Sequence, residues 1–410
     1  MRVLTGTVQH FVWGDRTEIP RILGIEPDGE PWAEYWLGAH ASGPSSFDDA
    51  PGETLASYLS ANPEVIGERN VEQFGAKLPY MMKLLSAAGP LSLQVHPTRD
   101  QAIEGYAKET LMEIPFEDPS RSYKDDWPKP EAIVALTRFE GLLGFREPAE
   151  TVKLFEQLGV AHELNSVIAP LRDRKEALAL QEVFLDVLTI RKRRHLVDLV
   201  LARAVELLDA GGELGEFART AVEIDEHFPG DAGILAALLL NRFTLEPGEA
   251  IALEAGVMHA YLRGTAVEVM AASDNIVRGG LTKKHIDVDG LLGLVNFETR
   301  NPTILRPEGG DGLYRYPTDF PEFELWLMAP TTDRHVTLPR EDSARIALVT
   351  DGEFHLRGDG EVHLTRGQAV FIAAGESVDV TGAGQMFMST SGGREIDTGS
   401  PDALLDVASG

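Results

Sequence analysis

Apolar positions in the first third of the chain come in short dense runs broken by Gly and Pro. "KLPYMMKLLS" (77–86), "LSLQVHP" (91–97) and "EAIVALTRFEGLLGF" (131–145) read as strands of a buried sheet. "TRDQAIEGYAKET" (98–110) reads as a short helix. From Glu147 to about Phe228 the pattern changes to little Pro and much Leu, Ala, Glu and Arg. There Val197, Leu201, Ala204, Val205 and Leu208 fall at i, i+4, i+7, i+8 and i+11, one stripe of an amphipathic helix. The basic run "RKRRH" (191–195) in this block reads as a solvated helix face. In "FPGDAGILAALLLNRF" (228–243), Asp231 is placed to cap a short apolar helix. After it the β pattern resumes to the end.

An internal echo ties two parts of this β pattern together. "PGEAIALEAGVMH" (247–259) and "RGQAVFIAAGESV" (366–378) share the spacing of Gly248 and Gly256 with Gly367 and Gly375. Each reads as turn, short inward strand, second turn. The expected fold is mainly β with an α-helical insertion: two jelly-roll β domains plus an all-helical domain. The boundaries are 1–146 together with 231–315 for the first β domain, 147–230 for the helical insertion and 316–410 for the second. His259 falls where the second copy has Val378, so only the first copy has a histidine to offer a metal.

Composition narrows the function. The 410 residues hold 37 Lys and Arg against 65 Asp and Glu, a net charge of −28 that repels nucleic acid and anionic membranes. There is no cysteine, which excludes disulfides and thiolate metal sites. The N-terminal "MRVLTGTVQHFVWGD" carries no signal-peptide pattern, and the longest apolar run, "AGILAALLL" (232–240), is too short to span a bilayer. These features predict a soluble cytoplasmic protein that binds neither nucleic acid nor membrane.

The chemistry centres on Gln94 and His96, two apart on a strand and so on one face. The plainer alternative is a polar pair on a half-exposed strand. If Arg263 and Gly264 form a two-residue hairpin turn in "HAYLRGTAVE", then His259 pairs Glu268, and His259, Tyr261 and Glu268 share a surface. Glu131 opens the "AIVAL" strand as a further carboxylate. Gln, His, Glu and His make an oxygen and nitrogen donor set suited to a zinc ion with an open position. Lys83, Lys129, Arg278 and Lys284 lie in or beside the same motifs. Four cations in so acidic a chain suggest an anionic substrate, most simply a phosphate. The alternative is that each pairs with a carboxylate.

Four motifs carry a resemblance: "AEYWLGAHASGPS" (33–45), "LSLQVHPTRDQA" (91–102), "KPEAIVALTRFEGLLGF" (129–145) and "GVMHAYLRGTAVEVMAASDNIVRGGLT" (256–282). The chain resembles the type I mannose-6-phosphate isomerases, zinc enzymes built on cupin folds, over most of its length. The helical block and the C-terminal β domain match by pattern only. The resemblance implies one zinc per chain, held by Gln94, His96, Glu131 and His259. It implies an essential arginine at Arg278, phosphate contacts at Ser92 and Lys83, and an active-site tryptophan at Trp13. The chain departs from the family where many members have Asn-His before Lys-Pro-Glu: here Trp127 and Pro128 stand there. The implied reaction interconverts mannose 6-phosphate and fructose 6-phosphate, moving a proton between C2 and C1 through an enediol, in a monomeric enzyme feeding GDP-mannose synthesis. Glu268 and Lys129 are rival bases, with Tyr261, Asp274 and Lys284 as supporting residues. An isomerase of a related sugar and a non-catalytic sugar-binding module are the other readings.

Overall fold

The computed structural model describes residues 1–118, 120–189, 194–284, 286–330 and 335–393. Two antiparallel β assemblies and a helical region form two compact units. Residues 191–193 of the basic run lie outside the described residues. Among those described, no helix is long and apolar enough to cross a membrane.

One unit comprises residues 7–36 and 82–307. Its sheet runs Ala250–Leu253, Glu131–Ala135, His259–Ala271, Tyr80–Ala87, Glu34–Leu37, Thr7–Gln9. A second group of strands, Leu93–Val95, Val277–Gly280, Phe139–Phe145 and Leu240–Leu245, attaches through the first half of the His259–Ala271 strand. Every residue of Glu131–Ala135 and Phe139–Phe145 is buried, as expected for apolar runs covered on both faces.

The expected Arg263–Gly264 turn is absent. His259–Ala271 is a single strand of 13 residues. Its first half pairs with Phe139–Phe145 (Tyr261 opposite Gly141) and its second with Glu131–Ala135 (Ala266 opposite Ala135, Met270 opposite Glu131). Each half thus finds its ladder partners in other strands, and nothing drives it to fold back on itself. The glycine has a different task. Gly264 has φ +123°, and a Cβ there would sit 2.7 Å from the Arg138 carbonyl oxygen and the Phe139 Cα. It lets the strand bend where its register slips between Tyr261 and Arg263. The slip shifts the alternation by one, which turns Tyr261 and Glu268, seven apart, to the same side.

Helices Pro148–Leu158, Glu176–Thr189, Arg194–Glu206 and Gly212–His227 share one core with strand residues Leu93, Val95, Leu142 and Phe145. The buried stripe of Arg194–Glu206 is Leu196, Val197, Val200 and Ala204. It is rotated from the expected stripe: Leu201 is only partly buried, Val205 is 58% exposed, and Leu208 lies past the helix end. Asp231, expected to cap the short helix Gly233–Ala237, accepts a bond from Gly233 N at 2.7 Å, but the cap position is Ala232, one residue on, with no side-chain cap bond. The sheet is tied to helix Gly212–His227 by Arg242, which pairs with Glu140 and, at 2.9 Å, with Glu223. Arg263 and Arg138 also bond Glu140, at 3.0 and 3.1 Å.

The other unit comprises residues 1–6, 37–81 and the chain from 308 onward. Its strand order is Glu308–Gly310, Leu313–Arg315, Glu324–Met328, Asp379–Thr390, Arg345–Arg357, Ala369–Ile372, Arg2–Thr5, Ser46–Phe47. Residues 1–6 and 37–81, expected within the first β domain, group here because Arg2–Leu4 pairs with Ala369–Phe371 and Ser46–Phe47 pairs with Leu4–Thr5. Met328, Val349, Phe354, Leu356 and Val378 fill its core. The sequence echo is a conformational one. Gly248 and Gly367 both have φ 89°, Gly256 and Gly375 have 78° and 84°, and the strands Ala250–Leu253 and Ala369–Ile372 lie between the members of each pair.

Two expectations follow. Gly264→Ala forces a Cβ against backbone in a left-handed conformation. It lowers unfolding free energy by roughly 2–4 kcal/mol in urea titrations. The Glu140 carboxyl responds first to burial, which would raise its pKa, but Arg242, Arg138 and Arg263 outweigh this and bring it down to about 2. Its folded value lies below its unfolded one, so its contribution is complete above the ordinary glutamate value near 4.5 and is lost as pH falls toward about 2. The loss is on the order of 3 kcal/mol. Glu140→Gln removes this pH dependence in denaturation curves taken from pH 6 down to pH 2.

Candidate metal centre

Leu93 and Val95 belong to the core shared with the helices, so Gln94 and His96 project from the opposite face. Gln94 pairs with His259 on one side and Arg278 on the other, which sets these three side chains in one row across neighbouring strands. Gly256 N donates to the His96 carbonyl at 2.9 Å, fixing the turn that delivers His259. Glu131 begins its strand opposite Met270 and Leu253.

His96, Glu131 and His259 converge. Their ligand-type atoms lie within 4.8 Å of one another, and all three residues are buried. This is the one such group of three or more among the described residues. His96 Nε2 is 3.4 Å from Glu131 Oε1, and His259 Nε2 is 3.8 Å from Glu131 Oε2. Each imidazole is oriented from its far side: His96 Nδ1 meets the Asn275 carbonyl at 2.8 Å, and His259 Nδ1 meets the Val257 carbonyl at 3.0 Å. A carbonyl accepts only, so Nδ1 carries the proton and each Nε2 presents a lone pair. His96 Nε2 is buried with no hydrogen-bond partner. Two lone pairs and a carboxylate facing one another away from water repel unless a cation lies between them. Gln94 Nε2 donates to Ser92 Oγ at 3.3 Å, which leaves its carbonyl oxygen available as a fourth neutral donor. The set suits zinc: two neutral nitrogens, one carboxylate and a carbonyl oxygen.

The burial of His259 agrees with this. Burial, the leading cause, pushes His259 down to about 4, so its imidazole is neutral near pH 7. For Glu131, burial would raise the pKa, but His96 in its protonated form and the Lys129 ammonium hold it well below the usual carboxylate range while no metal ion is bound. Lys129 Nζ lies 3.3 Å from Glu131 Oε1.

Beside the cluster runs a chain of buried charges. Lys83 Nζ sits 2.6 Å from Glu268 Oε2 and 2.9 Å from Glu34 Oε1. Tyr261 donates to Glu268 Oε1 at 2.7 Å, and Trp36 Nε1 donates to Glu34 Oε2, also at 2.7 Å. Burial would lower the Lys83 pKa, but Glu268, Glu34 and Glu131 raise it above the ordinary lysine value. Burial raises Glu268 against the opposing pull of Lys83, and burial with Glu268 raises Tyr261. Sequence reasoning expected Lys83 to meet a phosphate; here two carboxylates neutralise it. It also passed over Glu34, although an acid amid apolar and aromatic neighbours in "AEYWL" was a visible signal.

Arg278 has no ion-pair partner among the described residues, and burial lowers its pKa. Lys284, exposed, has its pKa lowered first by Arg278, then by burial and Lys124. These cations repel one another, and among the described residues neither has an ion-pair partner, unlike Lys83. Asp274 is exposed, and its backbone N donates to Asp125 Oδ2 at 2.9 Å. Trp13 packs beside a core that includes Leu85, Tyr261 and Ala266 and stacks on Phe11 at 5.7 Å. Trp127, which with Pro128 replaces the expected Asn-His pair, lies under the Arg99 guanidinium at 3.6 Å, and its carbonyl accepts from the Asn275 side chain at 2.8 Å.

Asn275 was missed as well. Its backbone orients His96, while its side chain bonds Lys124 N, Asp125 N and O, and the Trp127 carbonyl. Asn275→Ala loosens that loop and lowers zinc affinity roughly 10- to 100-fold, read by competition with a chromogenic chelator.

The chain was compared with known proteins. The pattern for the type I phosphomannose isomerase catalytic domain matches residues 1–148. Mannose-6-phosphate isomerase of Escherichia coli (strain K12) is 36% identical over 363 residues, 86% of this chain and 89% of the relative. Mannose-6-phosphate isomerase 1 of Arabidopsis thaliana is 32% identical over 86% of this chain and 84% of its own length. A solved phosphomannose isomerase variant from Salmonella typhimurium superposes with TM-score 0.86 at 33% identity, covering 95% of this chain and 99% of that one. A zinc-bound mannose 6-phosphate isomerase gives TM-score 0.85 at 32% identity with the same coverage. By these likenesses, carried over nearly the whole chain, the protein belongs to the type I phosphomannose isomerase family of zinc enzymes.

Proposed function

We propose that the protein interconverts mannose 6-phosphate and fructose 6-phosphate, with one zinc held by Gln94, His96, Glu131 and His259. The observation that carries the reading is the pair of Nε2 lone pairs aimed with the Glu131 carboxylate at one buried point. What the ion supplies when bound is Lewis-acid polarisation of the sugar oxygens.

The remaining work falls to the chain. Arg278 and Lys284 are cations without a carboxylate partner among the described residues, and they anchor the phosphate together with Ser92. Arg278, in the same row as Gln94 and His259, also faces the charge that develops on the enediolate. Glu268 is the better base of the two rivals. Burial raises its pKa, which favours taking a proton from one carbon and returning it to the next. Lys129 is engaged with a metal-binding carboxylate instead. Lys83, between two carboxylates, tunes and holds Glu268 rather than the phosphate; Tyr261 fixes the other oxygen of that carboxylate. Asp274 and Trp13 are assigned supporting roles only. Pro128 stands where many members have histidine and has no titratable group, so the role given to that histidine has no counterpart here.

The site is assembled from one chain, in keeping with a monomer. Its substrate is a charged ester retained in the cytoplasm, where we place the enzyme.

The test is formation of fructose 6-phosphate from mannose 6-phosphate, lost on chelation and restored by zinc. No turnover in the zinc-loaded protein overturns the reading. Glu268→Gln lowers kcat roughly 10²- to 10⁴-fold with KM little changed; full turnover returns the role of base to Lys129. Arg278→Ala raises KM for the phosphorylated sugar.

A further inference from the structure

We propose a second metal site in this protein: an imidazole pair on the outer face of the C-terminal β unit that chelates a borderline divalent ion such as Ni(II), Cu(II) or Zn(II). Strands Arg345–Arg357 and Glu361–Thr365 form a hairpin in which His355 stands directly opposite His363. Phe354, Leu356 and Leu364 point into the core, so the two histidines point outward. Both are exposed, and their rings lie face to face with centroids 4.3 Å apart and planes 17° from parallel. No ring nitrogen of either donates to or accepts from another described residue in a hydrogen bond. Glu353 is next on the same face, its Oε2 3.6 Å from His363 Nε2.

The arrangement has the parts of a chelate. Directly opposed residues on an antiparallel pair hold their side chains at a fixed separation, so the second nitrogen binds at no further ordering cost to the backbone. Small rotations about the side-chain bonds bring two nitrogens to the ~2 Å bond lengths such ions need. Imidazole suits nickel, copper and zinc, and the absence of an oxygen cage disfavours calcium and magnesium. The neighbouring charges favour a cation: Glu353 flanks the pair, Arg357 is engaged by Glu361 at 2.9 Å, and Asp379 pairs opposite Arg357 on the next strand. The chain's net charge of −28 raises the local concentration of any divalent ion. His355 and His363 take no part in the site described above, so this inference stands apart from the isomerase reading.

The experiment uses untagged, zinc-saturated full-length protein titrated with Ni²⁺ by equilibrium dialysis, with retention on immobilised Ni²⁺ as a second readout. The wild type takes up one Ni²⁺ per chain beyond the retained zinc, and His355→Gln with His363→Gln abolishes it. Each single substitution weakens binding roughly a hundredfold, because a chelate loses its linkage when either arm goes. Independent losses of about half for each single variant, or uptake unchanged in the double variant, overturn the proposal. Thermal melts without nickel coincide for all four proteins, since both rings are exposed; nickel raises the melting temperature of the wild type alone. A wild type whose melting point ignores nickel also counts against the site.

Discussion

The Glu131 carboxylate is buried among polar groups that do not satisfy it in the ordinary way. It faces two imidazole nitrogens that carry lone pairs and has one ammonium, Lys129, at its side. Leaving a carboxylate and two lone pairs together in a dry cavity is costly, and the surrounding structure holds them there regardless. The backbone carbonyls of Asn275 and Val257 fix the imidazole tautomers. The Glu131 strand is locked on both sides by the strands containing Leu253 and Met270. A divalent ion resolves the conflict, so the fold reads as a cradle assembled in advance of its ion.

The same logic of buried charge separates the cations into two kinds. Lys83 is neutralised by Glu34 and Glu268 within hydrogen-bonding distance, and its work is internal. Arg278 and Lys284 stand without such partners among the described residues and raise the local potential, which is the condition for attracting an anion to a protein otherwise strongly negative. Gln94 stands in the row between His259 of the metal-binding group and the cationic Arg278.

Much of this was legible in the sequence because it rests on local periodicity. The alternation in "LSLQVHP" put Gln94 and His96 on one face, and the echo of Gly248 and Gly256 with Gly367 and Gly375 marked two like β units. The hairpin around Gly264 was misread because a glycine that turns a chain and one that admits a close neighbour look alike without the neighbour. Tyr261 and Glu268 nevertheless meet, through a slipped register instead of a turn. Glu34, Asn275 and the true partners of Lys83 were hidden for a related reason. Their meaning lies in contacts across many residues of chain, which no spacing rule encodes. The grouping of residues 1–6 and 37–81 with the C-terminal strands was illegible on the same ground.

The strand that presents Gln94 and His96 is only three residues long, and its reverse side, Leu93 and Val95, is embedded in the hydrophobic interior of the helical segment. Those helices are therefore not a removable appendage. An engineer who trims them in search of a smaller catalyst exposes the back of the ligand-bearing strand to water and loses the rigidity that positions the donors. The smallest workable version of this enzyme keeps its helices.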